Sequence, residues 1–286
     1  MVGYRPYARP LRRLYLAVRV ACTVFLMAGA AQADAPARVV SMNLCTDQLA
    51  MMLADEGQLI SVSHIALDPL ASPMVAEAEK YPVNHGQAEQ IFAMRPDLVL
   101  AGVYSDPYTV GLLRRLGVAV VQFPLERDFD AIRSNILKMG EVLGRQDQAQ
   151  SMVARFDSDL ALLQEDSGPV PSALLHYANN YTSGDKSLAH EILVAAGLSN
   201  VTVDAGMTFA GSVPLEQLVL LMPDLVVSGQ VYPGASRAEE VLHHPALRSL
   251  RARQNGAALT DAEWVCGTPL VLRAVARLVD IRKRMQ

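Results

Sequence analysis

The sequence predicts an α/β protein with two Rossmann-like α/β lobes, joined by a long rigid helix and separated by a ligand cleft. The main observation is a repeated segment. Residues Glu89 to Gly102 read EQIFAMRPDLVLAG, and residues Glu216 to Gly229 read EQLVLLMPDLVVSG. Seven of the fourteen positions are identical at an offset of 127 residues, which suits a repeated lobe and is too long for a solenoid repeat.

Each copy predicts one helix-to-strand step of a buried parallel sheet. An apolar helix ends before Pro96 or Pro223, because proline disfavours the helical conformation in the residue before it. A short apolar strand follows and ends at a glycine, as in sheets that are covered on both faces. One larger α/β domain with a chance repeat is the alternative.

The chain divides into four predicted segments. Residues 1–33 combine five arginines, an apolar run from Ala21 to Ala31 and the A-x-A site Ala31-Gln32-Ala33, which indicate a secretory signal peptide cleaved after Ala33. An N-terminal lobe at 34–126, connecting helices at 127–168 and a C-terminal lobe at 169–286 follow. The connecting helices are indicated by apolar residues at helical spacing: Phe129, Ile132, Ile136, Met139 and Leu143, then Met152, Val153, Phe156, Leu160 and Leu163.

Charge and hydropathy restrict the classes of binding partner. Without the five arginines of the signal peptide, 20 Lys and Arg face 29 Asp and Glu, for a net charge of −9. This argues against nucleic acid and anionic membrane surfaces. No later segment reaches transmembrane length, so we expect an exported, soluble monomer without membrane insertion.

The cleft residues follow from the rule that ligands bind beyond the carboxyl ends of the strands in open α/β sheets. The set is rich in aromatic and neutral polar groups, which suits a large, partly apolar ligand between two walls. Trp264, the only tryptophan, is the strongest candidate because it lies in a turn-rich loop. The predicted ligand-binding residues are Asn43, Leu44, Cys45, Thr46, His64, Tyr104, Asn180, Tyr181, Thr182 and Trp264.

The two cysteines outside the signal peptide predict a disulfide. Cys45 follows the first strand of the first lobe, and Cys266 follows the last strand of the second. In an oxidising compartment such a pair is a disulfide candidate, and we expect Cα atoms within about 7 Å. Separate packing of each cysteine inside its own lobe is the alternative.

No catalytic signature is present: the sequence has no GxSxG, GxGxxG, Walker, HExxH or CxxC motif. His64 and His85 with a carboxylate could form a metal site, but solvated loop histidines are the favoured interpretation. We therefore expect neither a catalytic centre nor a resident metal or cofactor. An exported α/β enzyme acting on a small metabolite and a direct zinc- or manganese-binding protein remain as alternatives.

The export signal, the strand running into SMNLCTDQL, the AEQIFAMRPDLVLAG segment, the connecting helix and the ending LTDAEWVCGTP together resemble the periplasmic substrate-binding proteins for cobalamin and ferric siderophores. The resemblance implies a binding protein that delivers its ligand to an inner-membrane ABC importer. It also implies that Glu89 and Glu216 dock the permease, one on each lobe. The cleft set has no arginine, which disfavours a highly anionic catecholate, so corrinoid ranks first, ferric siderophore second and haem third.

Overall fold

The computed structural model describes residues 3, 35–164, 168–229, 234, 236–248, 255–259 and 261–285. Strands and helices alternate through most of this range. The first half contains β1 Val39–Ser41, α1 Leu44–Leu53, β2 Leu59–Ser63, α2 Val75–Ala78, β3 Val83–Asn84, α3 Ala88–Ala93, β4 Leu98–Gly102, α4 Pro107–Arg115, β5 Ala119–Phe123, α5 Phe129–Leu143 and α6 Gln146–Gln164. The second half contains β6 Ser172–His176, β7 Tyr181–Thr182, α7 Leu188–Ala195, β8 Ser199–Asn200, α8 Val201–Asp204, β9 Gly211–Ser212, α9 Leu215–Leu220, β10 Leu225–Ser228, β11 Asn255–Ala258, α10 Asp261–Trp264 and α11 Leu272–Arg284.

Two parallel sheets define the two lobes. The first lobe has a sheet in the order β3-β2-β1-β4-β5, and the second has one in the order β11-β10-β6-β8. If β3 is left out and the second order is read in reverse, β2-β1-β4-β5 of the first lobe corresponds to β8-β6-β10-β11 of the second. The described β7 and β9 form a separate antiparallel pair. The predicted two-lobe α/β fold is therefore confirmed.

The repeated segment folds in the same way in both lobes. Helices α3 and α9 have the same length and lie 127 residues apart, as do the first residues of β4 and β10. Arg95 and Met222, which precede the two prolines, both adopt left-handed backbone conformations, with φ of 50° and 47°. Each helix thus turns into its strand through the same unusual residue conformation, which non-glycine residues adopt infrequently.

Helices α5 and α6 connect the lobes as a tight hairpin. Gly144 ends α5 in the left-handed conformation, at φ 72°, as helix C-termini commonly require. The helices approach closely at Gly140, where a Cβ atom would lie 2.3 Å from the Cβ of Ala149. Helix α5 packs on α1 in the first lobe, and α6 packs on α7 and α11 in the second. The connection therefore contains two helices, each contacting a different lobe.

The apolar face of this hairpin belongs to the main hydrophobic core. The residues of α5 predicted from helical spacing are buried, and Phe129 contacts Phe156 of α6 edge to face, with ring centroids 5.8 Å apart. Each such side chain contributes about 1.5–3 kcal/mol when fully buried. Arg133 Nε also donates to Asp157 Oδ1 at 2.7 Å. Packing and this ion pair together hold the two helices in a defined arrangement.

Candidate ligand-binding cleft

The first turn of helix α1 and its N-cap, directly after β1, contain four of the predicted cleft residues. Asn43 caps the helix, because its Oδ1 accepts hydrogen bonds from the N–H groups of Cys45 at 3.1 Å and Thr46 at 3.4 Å. Leu44 is buried in the core, and the buried Thr46 hydroxyl lies 2.8 Å from that of Ser41. Of these four residues, Asn43 and Cys45 are half-buried.

Cys45 and Cys266 form a disulfide bond, with their Cα atoms 5.1 Å apart. The bond joins the first turn of α1, directly after β1 in the first lobe, to the segment after α10 in the second. The predicted bridge is therefore confirmed, and it connects the carboxyl edges of the two sheets.

A buried hydrogen bond and a close backbone approach lie beside the disulfide and also connect the lobes. The Thr268 hydroxyl lies 3.1 Å from Gln48 Oε1 and donates to it. The backbone of Gly267 packs directly against the side chain of Glu126. A Cβ atom at position 267 would lie 2.2 Å from the Cβ of Glu126, so this close approach requires glycine. Neither Glu126 nor Gly267 was among the residues expected from sequence.

A cavity of about 70 Å³ opens between the loops after β1, β4 and β5. The structure brings Asn43, Cys45, Thr46 and Tyr104 together around it, as the strand-end rule predicts. Tyr104 is 77% exposed at its rim. Further lining side chains, absent from the sequence prediction, are Leu49, Val103, Phe123, Leu125 and Glu126.

His64 lies apart from this cavity, in the turn after β2. Its exposed ring stacks on that of His85, with centroids 4.8 Å apart and an interplanar angle of 17°. Within the described residues, no group of three or more His, Cys, Asp or Glu side chains is placed to hold a metal ion.

The second lobe places its candidate residues around the β7–β9 pair. Asn180 adopts a left-handed conformation, with φ of 53°, and its Oδ1 lies 3.0 Å from Nε2 of the buried His176. Tyr181 is 43% exposed, whereas Thr182 is fully buried. Of these three residues, Tyr181 is thus the one that offers a large exposed surface to a ligand.

Trp264 ends helix α10, two residues before Cys266. It is 9% exposed and packs against Tyr177, with ring centroids 5.6 Å apart. Glu263, beside it, forms an ion pair with Arg277 at 2.9 Å. Trp264 is therefore close in sequence to the interlobe bridge and mostly covered by protein.

Glu89 and Glu216 lie in the first turns of α3 and α9, and both are exposed. Carboxylates in a first helical turn interact favourably with the helix dipole, by about 0.3–1 kcal/mol. The equivalent placement of the two residues follows from the repeated segment.

The sequence profile of the periplasmic binding proteins matches residues 39–261. The chain belongs to this family. A curated relative, the ferric enterobactin-binding periplasmic protein FepB of Escherichia coli, is 25% identical over 138 residues, covering 46% of this chain and 43% of FepB. The alignment thus spans less than half of that relative.

Solved structures show the same fold as this periplasmic binding protein. The haem-binding RhuT from Roseiflexus is 20% identical with a TM-score of 0.71, covering 87% of this chain and 99% of RhuT. The vitamin B12-binding BtuF of Vibrio cholerae is 20% identical with a TM-score of 0.65, covering 88% of this chain and 98% of BtuF. The prediction of a binding protein instead of an enzyme is confirmed.

Family membership places this binding protein in the periplasm. Residues 1–33, the predicted signal peptide, lie outside the described residues apart from Gly3, and cleavage after Ala33 stays a prediction. Among the helices that the structure describes, none is long and apolar enough to span a bilayer.

Proposed function

We propose that this periplasmic binding protein captures a corrinoid or an iron complex and delivers it, as a monomer, to an inner-membrane ABC importer. The observation that carries the proposal is that the carboxyl edges of the two sheets meet at the Cys45–Cys266 bond. This arrangement supports a ligand site between the lobes, with Tyr104 and Tyr181 exposed on opposite lobes. We propose the same segments as the sequence predicts: a signal peptide at 1–33, an N-terminal lobe at 34–126, connecting helices at 127–168 and a C-terminal lobe at 169–286.

Within this class we rank corrinoid first, ferric siderophore second and haem third. The exposed tyrosines suit a large, partly apolar ligand, and a carboxylate at the cavity is unfavourable for a highly anionic one. BtuF binds vitamin B12, FepB binds ferric enterobactin and RhuT binds haem, so each of the three ligands has a precedent among similar proteins.

For the permease, we propose docking through Glu89 and Glu216. The support is geometric: both carboxylates are exposed, and both lie at the same position of a six-residue helix that turns into its strand in the same way. Two equivalent negative charges suit two equivalent positive sites on a symmetric partner.

Visible absorbance tests the ligand class directly. The purified protein is incubated with cyanocobalamin, haem or ferric siderophores and passed through a desalting column, and the spectrum of the protein fraction is recorded. We expect the corrin spectrum to accompany the protein. A colourless protein fraction with all three would overturn the proposal, and retention of haem or ferric siderophore alone would overturn the ranking.

A further inference from the structure

Glu126 presents a carboxylate to the cavity beside the interlobe bridge. It follows β5, is 7% exposed and lines the cavity together with Asn43 and several apolar side chains. Burial raises the pKa of this carboxyl group above its ordinary value, as expected for an acid removed from water. An ionisable group in such a position is a functional candidate.

The groups around this carboxylate are neutral hydrogen-bond donors. Asn135 Nδ2 donates to it, and the N–H groups of Gly267 and of Glu126 itself partly offset the effect of burial on its pKa. None of the ion pairs formed by the described residues includes Glu126. A carboxylate has about four acceptor positions, so it can accept a further N–H from a ligand.

The size of the cavity indicates how much of a ligand reaches Glu126. A volume of about 70 Å³ holds a few water molecules, so the cavity admits only a small part of a ligand as large as a corrinoid. It has room for one peripheral arm of a larger ligand. Leu49, Val103 and Phe123 would surround the apolar part of such an arm.

We propose that Glu126 is a specificity-determining residue that accepts the N–H of a carboxamide arm and rejects a carboxylate arm at the same place. This inference deepens the proposed function and rests on it for the ligand class. The physical reason is electrostatic: a buried anion strengthens a hydrogen bond from a neutral amide and repels a second anion when water is excluded.

The test compares ligands that differ at one arm. Cyanocobalamin carries peripheral carboxamides, and mild hydrolysis gives monocarboxylic acid derivatives with one carboxamide converted to carboxylate. For the derivative altered at the arm that enters the cavity, we expect wild-type protein to bind about tenfold or more weakly than the amide, which corresponds to at least about 1.4 kcal/mol. In Glu126→Gln, the ratio of the two dissociation constants should fall to about threefold or less.

Three further variants separate charge from folding. Glu141→Gln, an exposed position on α5, is the matched control and should keep the wild-type ratio. Glu126→Asp retains the charge and should keep the preference for the amide. Glu126→Ala removes the carboxyl group without adding an N–H and should lose the preference as Glu126→Gln does. Circular dichroism establishes that each variant is folded.

The outcomes distinguish this inference from the proposed function. If corrinoids bind and the amide-to-acid ratio is the same in wild type and in the folded Glu126 variants, the role of Glu126 is overturned while the ligand class stands. If no corrinoid binds, the same comparison uses a neutral ferric trihydroxamate and an anionic ferric tricatecholate. A wild-type preference for the neutral complex that narrows in Glu126→Gln supports the inference, and an unaltered ratio overturns it. If haem binds and none of these ligands does, the role of Glu126 is overturned while the proposed function stands. Failure of haem to bind as well overturns both proposals.

Discussion

Removal of the interlobe disulfide should lower the free energy of unfolding substantially. The perturbation is the double substitution Cys45→Ser and Cys266→Ser, which deletes a bond spanning 221 residues. In the chain-entropy treatment, a bond that closes a loop of this length removes conformational entropy from the unfolded state, which raises the free energy of unfolding by about 5 kcal/mol at 25 °C. This is a large part of the roughly 5–15 kcal/mol that stabilises typical native proteins.

The native fold should survive this change, because other contacts between the lobes remain. The Gln48–Thr268 hydrogen bond and the packing of Gly267 on Glu126 do not involve sulfur, and α5 and α6 still pack on each other. Removal of the bond therefore acts mainly on the unfolded state, which gains conformational freedom. We expect an unaltered native circular dichroism spectrum and a lower urea midpoint.

Urea unfolding followed by circular dichroism measures the difference. Wild-type protein under reductant provides the matched comparison and should behave like the double variant, as should each single serine variant. Intact mass under non-reducing conditions first verifies that the wild-type pair is oxidised. With that verified, a loss below about 1 kcal/mol would refute the chain-entropy reasoning for this loop.

Four other predictions follow from the structure. Glu89→Arg and Glu216→Arg should abolish uptake and leave the ligand dissociation constant unaltered, because both residues are exposed; an equal loss of binding would contradict the docking role. Burial raises the pKa of Asp47 to about 6 from an ordinary value of 3.8. The folded state therefore binds the proton of this carboxyl group more tightly than the unfolded state does. As the pH rises between these two values, the free energy of unfolding should fall. Asp47→Asn should remove this change in the free energy of unfolding, which amounts to about 3 kcal/mol across that pH range and is measured by urea unfolding. If the free energy of unfolding varies with pH in the same way for both proteins, the role of Asp47 is excluded. Ligand should quench Trp264 emission, and Trp264→Ala should weaken binding by about 1–3 kcal/mol, whereas unaltered fluorescence at saturation would assign Trp264 to the core alone. The lobes should close by only a few degrees on ligand binding, so small-angle scattering should give nearly the same radius of gyration with and without ligand. A large fall in the radius of gyration would refute the rigid connection.

The features that the sequence predicts correctly are those with strong local signals. The repeated segment predicts equivalent helices and strands because both copies carry the same proline and apolar run. Helical spacing predicts α5 and its end at Gly144, where glycine adopts the left-handed conformation. The disulfide is predictable because Cys45 and Cys266 both follow strands that must end at facing edges.

Features that depend on distant partners are missing from the sequence prediction. Strands β3, β7, β8 and β9 have two residues each, too few to show the alternation of a strand. Glu126 reads as an ordinary charged loop residue. Its burial depends on the missing side chain of Gly267, which lies 141 positions later in the chain. Leu44 and Thr46 are likewise buried in the first turn of α1, and the sequence pattern alone does not show this.

The separation of the two bonded cysteines also sets an order of events during biogenesis. In a chain that enters the periplasm as it is synthesised, at roughly 5–20 residues per second, Cys266 follows Cys45 after roughly 10–40 s. The first lobe carries all the strands of its own sheet and can fold during that interval with Cys45 still a thiol. Until its partner arrives, the thiolate of Cys45 can attack disulfides of other periplasmic proteins, and each attack forms a mixed disulfide and releases one thiol. Completion of the interlobe bond therefore marks the end of assembly and distinguishes a finished molecule from one with only its first lobe in place.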